Sequence, residues 1–285
     1  MKKRRGWRKQ MKTMSKGLKI DVRRKKILDL LAQNGEVRIA DLTALFDTTE
    51  VTIRSDLSAL ENDGYLQRVT GGAVQTVRNF YNLDYIQRGR NNLAFKRAVG
   101  QAAADMISDG ETLLINSGAT TSAVAGALRK KRNLSIVTNS VTVAMELGEA
   151  PSFRVILLGG NINVRYAFTY GSDALEELEH YRADHAILSI DGISAEAGLT
   201  TYHAEEATID RAMIRRARST LVVADYSKIG RESFTSVGAL DQRILLITNQ
   251  CADREQVRAI GGQCGGAYRC DDNGAMIGRE EAPGQ

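Results

Sequence analysis

No stretch of this chain approaches the ~20 consecutive apolar residues that a membrane-spanning helix needs, so a helical membrane protein is excluded. The basic run at its start is not followed by an apolar segment, so no signal peptide is predicted and the expected compartment is the cytosol. Cysteine is scarce, at 3 in 285 residues. Cys251, Cys264 and Cys270 are odd in number and lack the paired close spacing of a zinc site or a disulfide framework, which predicts free thiols in a reducing environment. His180, His185 and His203 do not cluster; His203 lies just before Glu205 and Glu206, but a plain loop residue is the stronger reading than a metal ligand. Neither a metal nor a cofactor is predicted. Proline is also sparse, at 2, while 43% hydrophobic residues suffice for a substantial core. Acid is missing altogether from Met1 to Lys19. That basic segment is expected to be disordered, either as an arm along an anionic polymer or as a dispensable extension, with Met11 and Met14 as alternative starts.

What is present divides the chain in two, as its length suggests. Ile39 to Gly72 reads as two short helices joined by a tight turn and followed by a small hairpin. Leu42, Leu45 and Phe46 share one face of the first helix. Val51, Ile53, Leu57 and Leu60 form the expected buried stripe of the second. Asp47-Thr48-Thr49 supplies the turn, with side-chain oxygens able to cap the second helix. Upstream, Arg23 to Asn34 is a further helix, with Ile27, Leu30 and Leu31 inward and Gly35 ending it. Thr49, Thr52, Arg54 and Ser55 fall at the N-terminal end of the second helix, the end that a helix-turn-helix inserts into the DNA major groove. Thr and Ser donate hydrogen bonds there, and Arg reaches a guanine edge or a phosphate. Tyr65 to Val69 and Ala73 to Val77 form a wing that offers Arg68 to the DNA backbone. The net charge of +5 and pI near 9.1 suit an anionic partner.

The second part follows another grammar. Apolar runs at 112–115, 134–137, 155–158, 186–190, 221–224 and 244–248 alternate with amphipathic stretches at 121–129, 141–147, 174–180 and 207–217, and 95–107 adds a helix ahead of them. That alternation predicts a mainly parallel sheet covered by helices, in which ligands bind at the carboxyl ends of the strands. Asn116, Ser117, Gly118, Ala119, Thr120 and Thr121 follow the first strand and open a helix, an arrangement that cradles an anion with backbone N–H groups and hydroxyls. Asn139, the Gly159-Gly160 pair, Asp191 and Lys228 follow later strands. A phosphorylated sugar or polyol fits this set, with its hydroxyls at Asn139 and Asp191 and its phosphate at the 117–121 loop and Lys228.

The segments KKILDLLAQNGEV, DLTALF, VTIRSDLSALENDGYL and RVTGGAV resemble the N-terminal domain of the DeoR family of bacterial transcription regulators. VTNSVTVAMEL, VILLGG, the DGIS and GLTT pieces and VVADYSKIGRESF resemble that family's sensor domain. The likeness runs from about Arg23 to Thr248. It implies an α/β chain: a winged helix-turn-helix domain, then a Rossmann-like sensor domain of the ribose-5-phosphate isomerase and CoA-transferase group. It also implies a repressor of a sugar or polyol operon, released from double-stranded operator DNA by a phosphorylated effector. Ser55 stands where the family usually carries a second basic residue, and Asn116 where it often carries an acid.

The expected boundaries are a basic extension at 1–19, the DNA-binding domain at 20–75, a linker at 76–94, the sensor at 95–250 and a Gly-rich polar tail at 251–285. A homodimer or homotetramer on repeated half-sites is expected. The competing reading is an isomerase-like enzyme fused to a DNA-binding module, with Asp191, Asp210 or Glu205 as base and Lys228 as charge stabiliser.

Overall fold

Gly35 ends the first helix as its composition requires: its backbone is left-handed, at φ +74°, and its N–H bonds the carbonyl of Leu31 at 2.8 Å. The computed structural model describes residues 23–24, 26–28, 30–31, 34–62, 66–74 and 92–280. The basic extension, most of the linker and the outer ends of the wing hairpin lie outside them. The chain forms two units, Met1–Asn91 and Asn92–Gln285.

In the first unit, β1 (Glu36–Arg38) leads into α1 (Ile39–Phe46), α2 (Glu50–Asn62), β2 (Gln67–Val69) and β3 (Gly72–Val74). The three strands make an antiparallel sheet in the order β1-β3-β2, so the wing is one strand larger than the hairpin expected. Ile27, Leu31, Ile39, Leu42, Ile53, Leu57, Leu60 and Leu66 form its core. Two residues expected to face inward do not: Leu45 is 36% exposed and Val51 is 76% exposed. The stripe Ile53, Leu57, Leu60 already fills the face of α2 that meets the core, and Val51 lies off it. The buried carboxylate of Asp56 takes the guanidinium Nε atoms of Arg23 and Arg24, which pins α2 to the first helix.

In the second unit, α3 (Leu93–Asp105) precedes β4 (Thr112–Ile115), α4 (Ala119–Leu128), β5 (Ser135–Thr138), α5 (Val141–Gly148) and β6 (Arg154–Leu157). A hairpin of β7 (Asn161–Asn163) and β8 (Phe168–Tyr170) follows, then α6 (Ser172–Leu178) and β9 (Ala183–Leu188). Next come β10 (Gly192–Ser194), β11 (Gly198–Thr201), α7 (Ala204–Arg216), β12 (Ala217–Val223), β13 (Thr235–Gly238) and β14 (Ile244–Asn249). The chain closes with α8 (Arg254–Gly261), β15 (Gly266–Cys270) and β16 (Met276–Glu280).

The main sheet runs β16-β15-β14-β12-β9-β4-β5-β6. All its pairings are parallel except that of β15 with β16. Alternate residues of one strand bury on opposite faces: Leu113 and Ile115 meet α3, α4 and α5, while Leu114 joins α6 and α7. Burial on both faces is why these strands read as unbroken apolar runs.

Residues 251–280 of the expected tail are instead structured, and 281–285 lie outside the described residues. Val257 and Ile260 of α8 and Ala267 of β15 enter a third core cluster, and Cys270 enters the first. Gly265 is there for contact rather than looseness, since a Cβ on it would stand 2.4 Å from the carbonyl oxygen of Gln242. Glu280 closes the edge by pairing with Arg254, Arg258 and Arg269. The cysteines are free thiols, and burial pushes the Cys270 thiol up to about 12. Among the described residues no helix is long and apolar enough to cross a membrane.

Candidate functional site

The first unit carries one candidate site, at the start of α2. Thr49 caps the helix: its Oγ1 accepts the N–H of Thr52 at 3.3 Å and lies 3.0 Å from the Thr52 hydroxyl. Thr49, Arg54 and Ser55 are exposed and Thr52 is half-buried. The Arg54 guanidinium donates to Glu50 at 3.3 Å, one helical turn earlier, with both side chains more than half exposed. An exposed pair of this kind contributes little to stability, so the guanidinium is held upright at small cost and is ready to exchange partners. Arg68 sits in the wing, where its backbone N–H and its Nε both meet the carboxylate of Glu61. Those bonds, the backbone one foremost, hold the Glu61 carboxyl below the ordinary range. The fork of Arg68 keeps further donors for a phosphate. All five residues named from the sequence in this unit thus lie on α2's opening turns or on the wing.

The second unit carries another. In the main sheet the chain proceeds from β4 outward through β5 to β6, then crosses to the other side of β4 with β9 and continues through β12 and β14. The crevice above β4 and β9 is therefore the switch point of the sheet, where open parallel sheets take their ligands. Asn116, at the end of β4, spans it. Its Nδ2 donates to the Ser189 carbonyl at 2.9 Å and to Asp210 at 2.8 Å, and its Oδ1 accepts the Ser189 N–H at 2.9 Å. Asn116 therefore braces the crevice rather than offering itself to a ligand.

Gly118 precedes α4 with its backbone against the same loop, and a Cβ on it would fall 2.5 Å from the Ser189 Cβ. The carbonyl of Gly118 accepts from the hydroxyls of Thr121 and Ser122 at 3.0 Å each. Ser117 donates to the Tyr166 carbonyl at 3.3 Å. What remains is the first turn of α4, whose leading N–H groups have no intrahelical acceptor, beside the buried hydroxyl-bearing side chain of Thr120 and the half-buried Ala119. Asn139, after β5, gives its Nδ2 to the Thr169 carbonyl at 3.1 Å. Its Oδ1 is buried without a hydrogen-bond partner, a costly state that a ligand hydroxyl would relieve.

Opposite lies an acidic network. Asp191, after β9, accepts from the Thr201 hydroxyl and the Tyr202 N–H at 3.1 Å each and from Lys228 at 3.3 Å. The Thr201 hydroxyl also approaches Glu206 at 3.2 Å. Burial, foremost, and then the charges of Glu206 and Asp191 push the carboxyl of Asp210 well above the ordinary range. Thr201, Glu206 and Asp210 were not among the residues named as a binding site. Their signal was the i, i+4 spacing of two acids among the apolar positions of α7. Glu205, weighed as a base, is exposed, whereas Glu206 is buried.

The Gly159-Gly160 pair packs against β8 and α6. The Gly159 N–H is taken by Glu177 at 2.8 Å. Gly160 turns at φ +104° beneath the Tyr170 carbonyl, which a Cβ would meet at 2.6 Å. Both glycines shape the turn into the β7–β8 hairpin. His203, just before α7, packs its ring on Tyr166 at 4.6 Å between centroids.

The comparisons with known proteins agree with this division. A DeoR-like helix-turn-helix domain profile matches residues 23–78, and a DeoR C terminal sensor domain profile matches residues 91–250. The HTH-type transcriptional repressor GlcR of Bacillus subtilis (strain 168) is 32% identical over 79% of this chain and 86% of its own. The glycerol-3-phosphate regulon repressor of Haemophilus influenzae (strain ATCC 51907 / DSM 11121 / KW20 / Rd) is 33% identical over 81% of this chain and 90% of its own. A solved ribose 5-phosphate isomerase from Methanocaldococcus jannaschii covers 48% of this chain and 55% of its own, at 16% identity and a TM-score of 0.36, a level that says nothing about chemistry. With both domain profiles and relatives of near-full coverage in hand, the chain belongs to the DeoR family of transcription regulators.

Proposed function

We propose that this regulator represses an operon of sugar or polyol catabolism and leaves its operator when a phosphorylated sugar or polyol binds the crevice above β4 and β9. The observation that carries the reading is the pairing of an open α4 N-terminus with the orphaned, buried Asn139 Oδ1. The first suits a phosphate and the second a hydroxyl. The printed names of the relatives, one of them a glycerol-3-phosphate regulon repressor, point to the same chemistry. The operator is bound by a homodimer or homotetramer, each pair of recognition helices meeting two half-sites. A thermal-shift screen of the full chain against phosphorylated sugars and polyols tests this. A true effector at a hundredfold over its Kd stabilises by about 2.7 kcal/mol, and a domain of this size gains roughly 2–4 °C per kcal/mol. A panel that leaves the melting point flat would remove the sensing half of the proposal.

The same crevice serves regulation better than catalysis. An isomerase needs an ionised base free to approach a carbon acid. Here Asp191 is engaged by three donors and burial pushes the carboxyl of Asp210 well above the ordinary range. Ribose 5-phosphate incubated with the protein should give no ketose above background, and measurable turnover would reverse this assignment.

A short turn, residues Tyr226–Lys228, links the crevice to the start of the sensor unit. Lys228 meets Asp191 on one side. Asp225, the residue that caps the turn, accepts from Asn92 at 3.3 Å and lies 3.9 Å from the Lys96 ammonium. Asn92 is the first residue of the second unit, where the chain arrives from the DNA-binding unit. An anion that draws Lys228 away from Asp191 shifts this turn and with it the beginning of α3. Asn92→Ala is therefore expected to leave effector affinity and operator affinity within about threefold of wild type. The factor by which one weakens the other, ordinarily about 5–150, should shrink several-fold. An unchanged factor in paired titrations would exclude this route.

A further inference from the structure

We infer that Val51 reads the methyl group of a thymine in the operator and so helps to set which sequence is recognised. The inference rests on the reading that α2 enters the major groove, and it concerns a residue that the sequence had assigned to the core.

Val51 is 76% exposed although it lies one residue into α2. It stands three and four positions before the exposed Arg54 and Ser55, so the three side chains share one face of the helix. The opposite face carries Ile53, Leu57 and Leu60, all at most 4% exposed, and the buried Asp56. A single exposed apolar residue on a protein surface is unremarkable in itself. This one is placed among the side chains that face outward at the end of the helix used for base recognition. It is also β-branched, which lowers helix propensity, and it gains little burial in return.

The polar groups nearest in sequence are partly spent on each other. The Thr49 and Thr52 hydroxyls lie 3.0 Å apart, and Arg54 leans on Glu50. Val51 supplies an apolar surface between them. In the major groove the only apolar feature of the base edges is the C5 methyl of thymine, and it distinguishes T·A from A·T and from both G·C orientations. Serine at position 55, one turn along, leaves room beside Val51 where a long basic side chain would crowd it. The face then reads as apolar contact at Val51, hydroxyl at Ser55 and guanidinium at Arg54.

The test uses the full-length protein and duplexes selected by it from a random-sequence library. Each thymine of the selected site is replaced in turn by deoxyuridine, which removes the methyl group and nothing else. Burying one methyl is worth about a fourfold change in affinity. Wild type should therefore lose about three- to tenfold at one thymine per half-site. Val51→Ala should bind the thymine duplex more weakly by a similar factor and lose its sensitivity to deoxyuridine at that position. Equal deoxyuridine sensitivity in Val51→Ala, or no sensitive thymine in wild type, would overturn the assignment to Val51 while leaving DNA binding intact. Failure to enrich any duplex would instead overturn the DNA-binding reading on which the assignment rests. Because position 51 is exposed, a folding defect in the variant is not expected, and an unchanged melting temperature confirms that the comparison is of binding alone.

Discussion

Gly118→Ala is expected to yield a repressor that no longer lets go. The added Cβ would stand 2.5 Å from the Cβ and 2.6 Å from the Oγ of Ser189, separations that atoms of a folded chain do not tolerate. The side chain of Ser189 cannot swing its Cβ aside, so the loop between β4 and α4 must retreat from the loop after β9. That retreat turns the leading N–H groups of α4 away from the crevice and strains the Asn116 brace, whose three bonds reach Ser189 and Asp210. Hydrogen bonds to a charged group are worth about 1.5–3 kcal/mol each, so losing even one weakens effector binding by roughly 10- to 150-fold. Operator affinity without effector should stay near wild type, because the DNA-binding unit has its own core. The double variant Gly118→Ala with Ser189→Gly removes the clash and should recover most of the response. A single variant that still releases DNA at the wild-type effector concentration would place the anion elsewhere. Circular dichroism of the single variant separates a lost site from a lost fold.

Arg54→Ala has the second large effect, on the other unit. Arg54 presents its guanidinium from the exposed face of α2, 3.3 Å from Glu50. A bidentate contact to a guanine contributes about 1–3 kcal/mol of discrimination, and the homodimer proposed above would make it twice. The loss therefore reaches on the order of a hundredfold or more. Removing Arg54 also leaves the Glu50 carboxylate facing the DNA unneutralised, and like charges repel there. Glu50→Gln added to Arg54→Ala should recover part of the loss, which a purely structural role for Arg54 would not predict. The salt dependence tells which partner Arg54 takes: a phosphate contact lowers the slope by about one charge, a base contact leaves it unchanged. Operator binding within threefold of wild type would remove Arg54 from the interface.

The sequence revealed these sites unevenly, for physical reasons. The strands of the parallel sheet were legible because both faces are buried, which makes Leu113 through Ile115 a continuous apolar run. The helix start after that strand was legible because Gly and hydroxyl residues follow it directly. Val51 was misplaced because a β-branched residue in a helix looks like core until one sees that Ile53, Leu57 and Leu60 already fill the core-facing side. Residues beyond 250 were misread because glycine signals both loose chain and close packing, and only contacts such as that of Gly265 with Gln242 tell them apart. Asn116 and Asp210 are 94 positions apart in the chain, and no local pattern joins them. Their bond depends on the crossover that brings β9 and α7 back beside β4, which is a property of topology and not of any window of sequence.

The most direct test of the central claim is a reciprocal titration. Operator affinity is measured by anisotropy with and without the phosphorylated compound that raises the melting point, and affinity for that compound is measured with and without operator. Linkage requires one factor to govern both. The expected result is a 5- to 150-fold weakening in each direction for wild type, and no weakening of operator binding at the same effector concentration for Gly118→Ala. Operator affinity that does not change when the crevice is saturated would contradict the account.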